Sequence, residues 1–113
     1  MDKLTTYRNL IKRLLTEYAE LVNRRPEPGV ETLVVCDEER DQYMLLSVGW
    51  SQKRRLRTTS LYVRLRAGKF WIEEDWTEEG IAADLLRAGV PKDDIVLAFQ
   101  PPEMRPFTEF SVA

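Results

Sequence analysis

The sequence has 113 residues, with 17 Lys and Arg against 19 Asp and Glu, no histidine and one cysteine. That length sets one domain, residues 1–113, with one modest core, and a net charge of -2 argues against autonomous DNA binding, which draws much of its affinity from neutralised phosphates. Without histidine the chain lacks the commonest general base, the usual Ser-His and Cys-His nucleophile pairs and the usual zinc ligands.

The start, "MDKLTTYRNL", lacks the basic-then-apolar order of a secretory leader. No apolar run approaches the roughly 20 residues that span a bilayer. The lone Cys36 fits a reducing compartment and reads as a buried strand thiol. A cytoplasmic protein is expected, with no membrane partner.

Residues 2–24 read as a helix. Leu4, Tyr7, Leu10, Ile11, Leu14, Leu15, Tyr18, Leu21 and Val22 recur at helical spacing and form one broad apolar face. Asp2 is the expected N-cap, and Pro26 in "RRPEPG" stops the helix. "ETLVVCD" (31–37) and "YMLLSVGW" (43–50) read as strands joined by a polar turn, an antiparallel hairpin. "SQKRRLRTT" is a basic loop able to continue as strand. "SLYVRLR" (60–66) alternates, with Leu61, Val63 and Leu65 on one face and Tyr62, Arg64 and Arg66 on the other. A tight turn at "AG" leads into "KFWIEED" (69–75), where Trp71 is expected to pack on a sheet face.

"TEEGIAADLLRAGVP" predicts a short helix with Thr77 as N-cap, Gly89 at its C-terminal stop and Pro91 beyond it. "DIVLAFQ" (94–100) reads as the last strand. The fold expected is α+β: an N-terminal helix on an antiparallel meander sheet of about five strands, with a second short helix before the last strand. The tail "PPEMRPFTEFSVA" is too proline-rich for a helix or a central strand, but its Met104, Phe107, Phe110 and Val112 predict an ordered, packed segment.

Two clusters stand out. Glu73, Glu74, Asp75, Glu78 and Glu79 crowd one short stretch. Glu78 and Glu79 are placed in a first helical turn, where negative charge meets the helix dipole, and the other three end a strand, where neighbours point to opposite faces. A hard-cation site on Glu73, Asp75 and Glu78 is the weakest reading, and no Glu-x-Lys of the kind found in metal-dependent nucleases is present. No metal and no cofactor is expected. The second cluster is basic. Residues 51–66 carry Lys53, Arg54, Arg55, Arg57, Arg64 and Arg66 with no acid, whereas residues 67–113 carry ten acids against four bases. Such a stretch is either a solvated strand face or a docking patch for an acidic protein surface or phosphates.

"MDKLTTYRNLIKRLLTEYA", "ERDQYMLLSVGW" and "WIEEDWTEEGIAADLLRAGVPKDDIVLAFQPPEMRPFTEFSVA" together resemble the XisI family, the fdxN element excision controlling factor proteins of cyanobacteria. The resemblance runs in order over nearly the whole chain, and "GVPKDDIVLAF" followed by Pro-x-x-Arg and Thr-x-Phe is its most specific part. It implies an α+β fold, no catalytic residues, and an accessory role beside a site-specific recombinase that excises a DNA element during heterocyst differentiation. It also implies an XisH-like protein partner, with the recombinase or DNA as further contacts and a homo-oligomer left open. The positions matching the family motif are Asp75, Thr77, Glu78, Gly80, Gly89, Pro91, Arg105 and Thr108. Arg105 is expected either to pair with a carboxylate near Asp75 or to face a partner. Lys53, Arg54, Arg55, Arg57, Arg64, Arg66 and Arg105 are the candidate partner- or DNA-binding residues.

Overall fold

A computed structural model describes residues 2–113. Helix α1 spans Lys3–Asn23, and the Asp2 carboxylate caps it, accepting from the Thr5 N–H at 2.7 Å. Tyr7, Ile11, Leu14, Leu15 and Ala19 form its buried stripe. Leu4, Leu21 and Val22, at its two ends, stay exposed.

Strands β1 (Val30–Asp37), β2 (Gln42–Ser51), β3 (Arg54–Arg66) and β4 (Lys69–Asp75) follow as an antiparallel meander. The basic segment expected as a loop is therefore strand almost throughout. Only Gln52 and Lys53 turn, both with positive φ (49° and 68°), as a two-residue hairpin of primed type requires. After β4 the chain crosses through α2 (Ile81–Arg87) and returns as β5 (Ile95–Leu97). A helical crossover brings a strand back in the same direction, so β5 pairs parallel to β4 and the sheet is mixed, in the order β1-β2-β3-β4-β5. The last strand is shorter than the 94–100 expected: the Ala98 N–H turns back to the Val96 carbonyl, although the Phe99 N–H still reaches the Ile72 carbonyl of β4.

The core lies between α1 and one sheet face. Tyr43, Leu45, Leu61, Val63, Leu65, Phe70, Ile72 and Ile95 meet the α1 stripe, and Ile81 and Leu85 of α2 close the end. The Tyr7 and Phe70 rings stack at 4.5 Å between centroids. Two polar ties hold the helix to turns that flank the sheet, beside the Asn23 amide that donates to the Thr32 carbonyl of β1. The Arg8 guanidinium grips Asp41 at 2.8 and 3.1 Å. Asp94 accepts from the Tyr7 hydroxyl at 2.6 Å and pairs with Lys3 at 2.8 Å.

The turn into α2 differs from expectation. Thr77 is not the N-cap, and Glu78 and Glu79 lie before the helix rather than in its first turn. Gly80, at φ 88°, redirects the chain, and Asp75 does the capping from a distance. Its carboxylate accepts from the Thr77 N–H at 2.9 Å, the Thr77 hydroxyl at 2.6 Å and the Ile81 N–H at 2.7 Å. The other end follows the sequence. Gly89 takes φ 94°, its N–H reaches the Leu86 carbonyl, and the Val90 N–H reaches the Leu85 carbonyl, a Schellman stop.

Candidate interaction surface

Among the described residues no α-helix packs on the second face of the sheet; only at β4 does the tail's short 3-10 helix, Pro102–Phe107, bring Arg105 over it. Strand alternation puts Leu33 and Val35 of β1 and Met44, Leu46, Val48 and Trp50 of β2 on it. Val35 is 43% exposed and Trp50 58%.

The basic residues reach the same face through a bulge. On β2 pairing passes from Leu45 to the next residue, Leu46, while on β3 it jumps from Leu61 to Thr59 and leaves Ser60 unpaired. The jump changes parity. Arg55 and Arg57, which pair with Trp50 and Val48, therefore share the open face with Tyr62, Arg64 and Arg66. Without the bulge the odd-numbered arginines would point toward the core side.

The cations nevertheless form two groups. Arg57 and Arg64 pair with Val48 and Gln42, six residues apart on β2, so at about 3.3 Å per residue they stand roughly 20 Å apart along β3. One group is the β2–β3 hairpin end, with Lys53, Arg54, Arg55 and Arg57. All four are exposed, and among the described residues none has a carboxylate partner. The Arg55 guanidinium lies 5.7 Å from the Trp50 ring centre and donates to the Gly49 carbonyl. The second group is tied down. Arg64 pairs with Glu73 at 3.6 Å, and Arg66 sits over Trp71 at 5.2 Å.

Arg105 joins that second group from the tail, with its guanidinium 5.7 Å from the Trp71 ring centre. It does not pair with a carboxylate near Asp75. It donates instead to the carbonyls of Gln100, Ala98 and Val112, at 3.1, 3.3 and 3.5 Å, so its fork gathers the tail's own backbone. The Thr108 hydroxyl completes the knot, donating to the Arg105 carbonyl and accepting from the Phe110 N–H. The tail is ordered: Ser111 bridges to β5, and Phe110 packs on the core. Of the other three apolar residues expected to pack, Phe107 is 83% exposed, and Met104 and Val112 are exposed as well.

The motif positions thus carry structural work. Asp75, Thr77 and Gly80 shape the entry to α2, Gly89 ends it, and Pro91 precedes a short 3-10 turn at Lys92–Asp94. Arg105 and Thr108 set the tail, and Glu78 has no ionic partner among the described residues. The five clustered carboxylates diverge. Glu73 turns to Arg64, Glu74 to the Trp76 indole, Asp75 to its turn and Glu79 to Arg87. Among the described residues no three acids or thiols gather to hold a cation.

Titration shifts belong to the same scaffold. The Arg8 hydrogen bond holds the Asp41 carboxyl below its ordinary range, against the opposing effect of burial. Burial also opposes ionisation of Asp94, but hydrogen bonds from Lys3 and Tyr7 and the charges of Lys3 and Lys69 outweigh it. Burial, with Asp84 as its partner, pushes Tyr18 up to about 12. Cys36 is exposed on edge strand β1 rather than buried, and desolvation of its sulfur raises its pKa, the reverse of an activated thiol. No helix among the described residues is long and apolar enough to cross a membrane.

The open apolar face went unread in the sequence, although a signal was there. In "YMLLSVGW" both parities are apolar, the mark of a strand meant to be covered on both sides.

Comparison with known proteins agrees with this architecture. The family model described as "XisI protein" matches residues 1–112. The crystal structure of the fdxN element excision controlling factor XisI from Anabaena variabilis ATCC 29413 is 42% identical, with a TM-score of 0.86, over 99% of this chain and 100% of that one. A XisI-like protein from the same organism is 34% identical, with a TM-score of 0.90, over 97% and 99%. No curated protein gives a significant match.

Proposed function

The chain belongs to the XisI family, and from that premise we propose that it is a non-enzymatic controlling factor in the programmed excision of a DNA element, acting in the cytoplasm by docking on a protein partner of XisH type. The observation that carries this reading is the hairpin end. Lys53, Arg54, Arg55 and Arg57 project there without carboxylate partners, next to an exposed tryptophan. Cations left unpaired in a chain that is acidic overall give a molecule with opposite poles, and such poles orient an encounter with an acidic surface. Trp50 and the stacked Arg55 are residue types that anchor interfaces. The other candidate cations, Arg64, Arg66 and Arg105, already have partners inside the molecule and play a supporting part.

Co-expression with the XisH-type protein tests this. The two are expected to co-elute in size-exclusion chromatography at low salt, and Arg54→Glu with Arg55→Glu is expected to separate them without changing the fold. Separate elution of the wild-type proteins at micromolar concentration would refute the reading.

One observation favours a second reading, direct DNA contact. The hairpin is a two-stranded ribbon with cations and an aromatic ring at its tip, a shape that a major groove admits. It requires a mobility shift that weakens steeply with salt and with Arg54→Ala, Arg55→Ala and Arg57→Ala.

A further inference from the structure

The open sheet face has its own charge pattern, and the pattern is self-complementary. Three strands form matched rows across it. Glu31 of β1, Val48 of β2 and Arg57 of β3 make one row. Leu33, Leu46 and Thr59 make the next, and Val35, Met44 and Tyr62 a third. Asp37, Gln42 and Arg64 close the far end. Acid therefore lies on the β1 side and base on the β3 side, with an apolar strip between them. Glu31 and Arg57 are both exposed, and among the described residues neither has an ionic partner.

We propose that this face docks a second copy of the chain, face to face, about a two-fold axis running along β2. Such an axis exchanges β1 and β3. Glu31 of each copy then meets Arg57 of the other, giving two reciprocal ion pairs at the level of Val48. Leu33, Leu46 and Val48 stack between them, in the aligned geometry of packed sheets. The alternative two-fold, across the strands, would set Glu31 against Asp37, already paired with Arg40, and Arg57 against Arg64, already paired with Glu73, so it offers neither free charge an opposite partner. Charge thus selects one stacking over the other. The apolar parity of β2 fits a strand that is covered on both sides. A different protein could also cover an apolar strip, but it would have no reason to match acid on β1 and base on β3 at the same level. The strip is three strands wide, so the contact is at the small end of specific interfaces, and a dimer in the micromolar range is expected. The proposal does not depend on the XisH-type partner, which is placed at the hairpin end and shares only Arg57 with this face.

Sedimentation velocity on the purified chain, from about 1 to 500 µM, tests it. The wild type is expected to pass from monomer to dimer. Leu46→Glu is expected to remain monomeric, with an unchanged circular dichroism spectrum. Glu31→Arg and Arg57→Glu are each expected to weaken association about tenfold or more, and the double variant to return close to wild type. A wild type that stays monomeric throughout overturns the proposal, including the case where another protein occupies the face. So does a dimer indifferent to Leu46→Glu, or a double variant no tighter than the single ones. Because Glu31 and Leu46 lie outside the hairpin end, loss of the dimer and loss of the partner are separate results.

Discussion

The two faces of one sheet are made of similar residues and have opposite fates. On the inner face Tyr43, Leu45, Leu61, Val63, Phe70 and Ile72 are all essentially inaccessible, because α1 and α2 supply matching apolar stripes. On the outer face Leu33, Val35 and Trp50 face solvent. Even that face is divided. At β4 the tail reaches over it, and Trp71 lies close to the guanidinia of both Arg66 and Arg105. At β1 and β2 nothing among the described residues does the same. Apolar character alone therefore does not define a core. A core forms where the same chain provides the opposing surface, and apolar residues without one stay in reach of solvent.

The inner face gives the largest way to break this comparison. Phe70→Ala removes a ring stacked on Tyr7 and is expected to cost about 3–5 kcal/mol, read from the shift in urea midpoint. Val35→Ala on the outer face is expected to cost no more than about 0.5 kcal/mol at dilute concentration. Equal losses would show that the outer face is covered in solution even by the lone chain.

Asp75→Ala comes next. It leaves the Thr77 and Ile81 N–H groups without their acceptor and frees the entry to α2. A loss of about 1–3 kcal/mol is expected. Thr77→Ala, which keeps the carboxylate, should cost less. If Thr77→Ala were the worse of the two, the capping role would belong to threonine after all.

Acid sharpens the picture of how α1 is tied to the sheet. Asp41 and Asp94 both ionise more readily folded than unfolded. Between their folded values and the unfolded value of about 3.9, the unfolded chain binds more protons, so stability rises with pH. Their contribution is complete above that window and is lost as pH falls through the folded values. Asp41→Asn should therefore lower the urea midpoint at pH 6, and the gap to wild type should narrow steadily as pH falls below the unfolded value. A gap that does not change with pH would assign the effect to packing rather than charge.

The smallest effect belongs to the tail. Phe107 is exposed, so Phe107→Ala is expected to shift the melting temperature by less than about 2 °C. Phe110→Ala, which unpacks a residue resting on the core, should shift it more.

Much of the fold could be read from local chemistry. Asp2, Pro26, Gly89 and the apolar spacing of α1 placed that helix and the end of α2, since caps and stops act over a few residues. The turn at Asp75 was harder, because a carboxylate capping a helix six residues later looks in sequence like one more acid in a cluster. The bulge at Ser60 was hidden for a similar reason. It appears only as a slip in pairing with β2, yet it decides that Arg55, Arg57, Arg64 and Arg66 share a face. For Arg105 the sequence leaves two readings, a carboxylate near Asp75 or a partner surface, and neither shows that its acceptors are the tail's own carbonyls. Of the candidate site, the basic composition was legible, but its division between a free hairpin end and a tied group near Trp71 depended on tertiary partners.

Direct titration of the XisH-type protein tests the central claim most sharply. Calorimetry with the wild type and with the Arg54→Glu, Arg55→Glu variant should show binding that the charge reversal weakens at least tenfold, about 1.4 kcal/mol, while circular dichroism stays unchanged. Equal affinity for both forms, or no heat with the wild type at any salt concentration, would contradict a partner docked on the hairpin end.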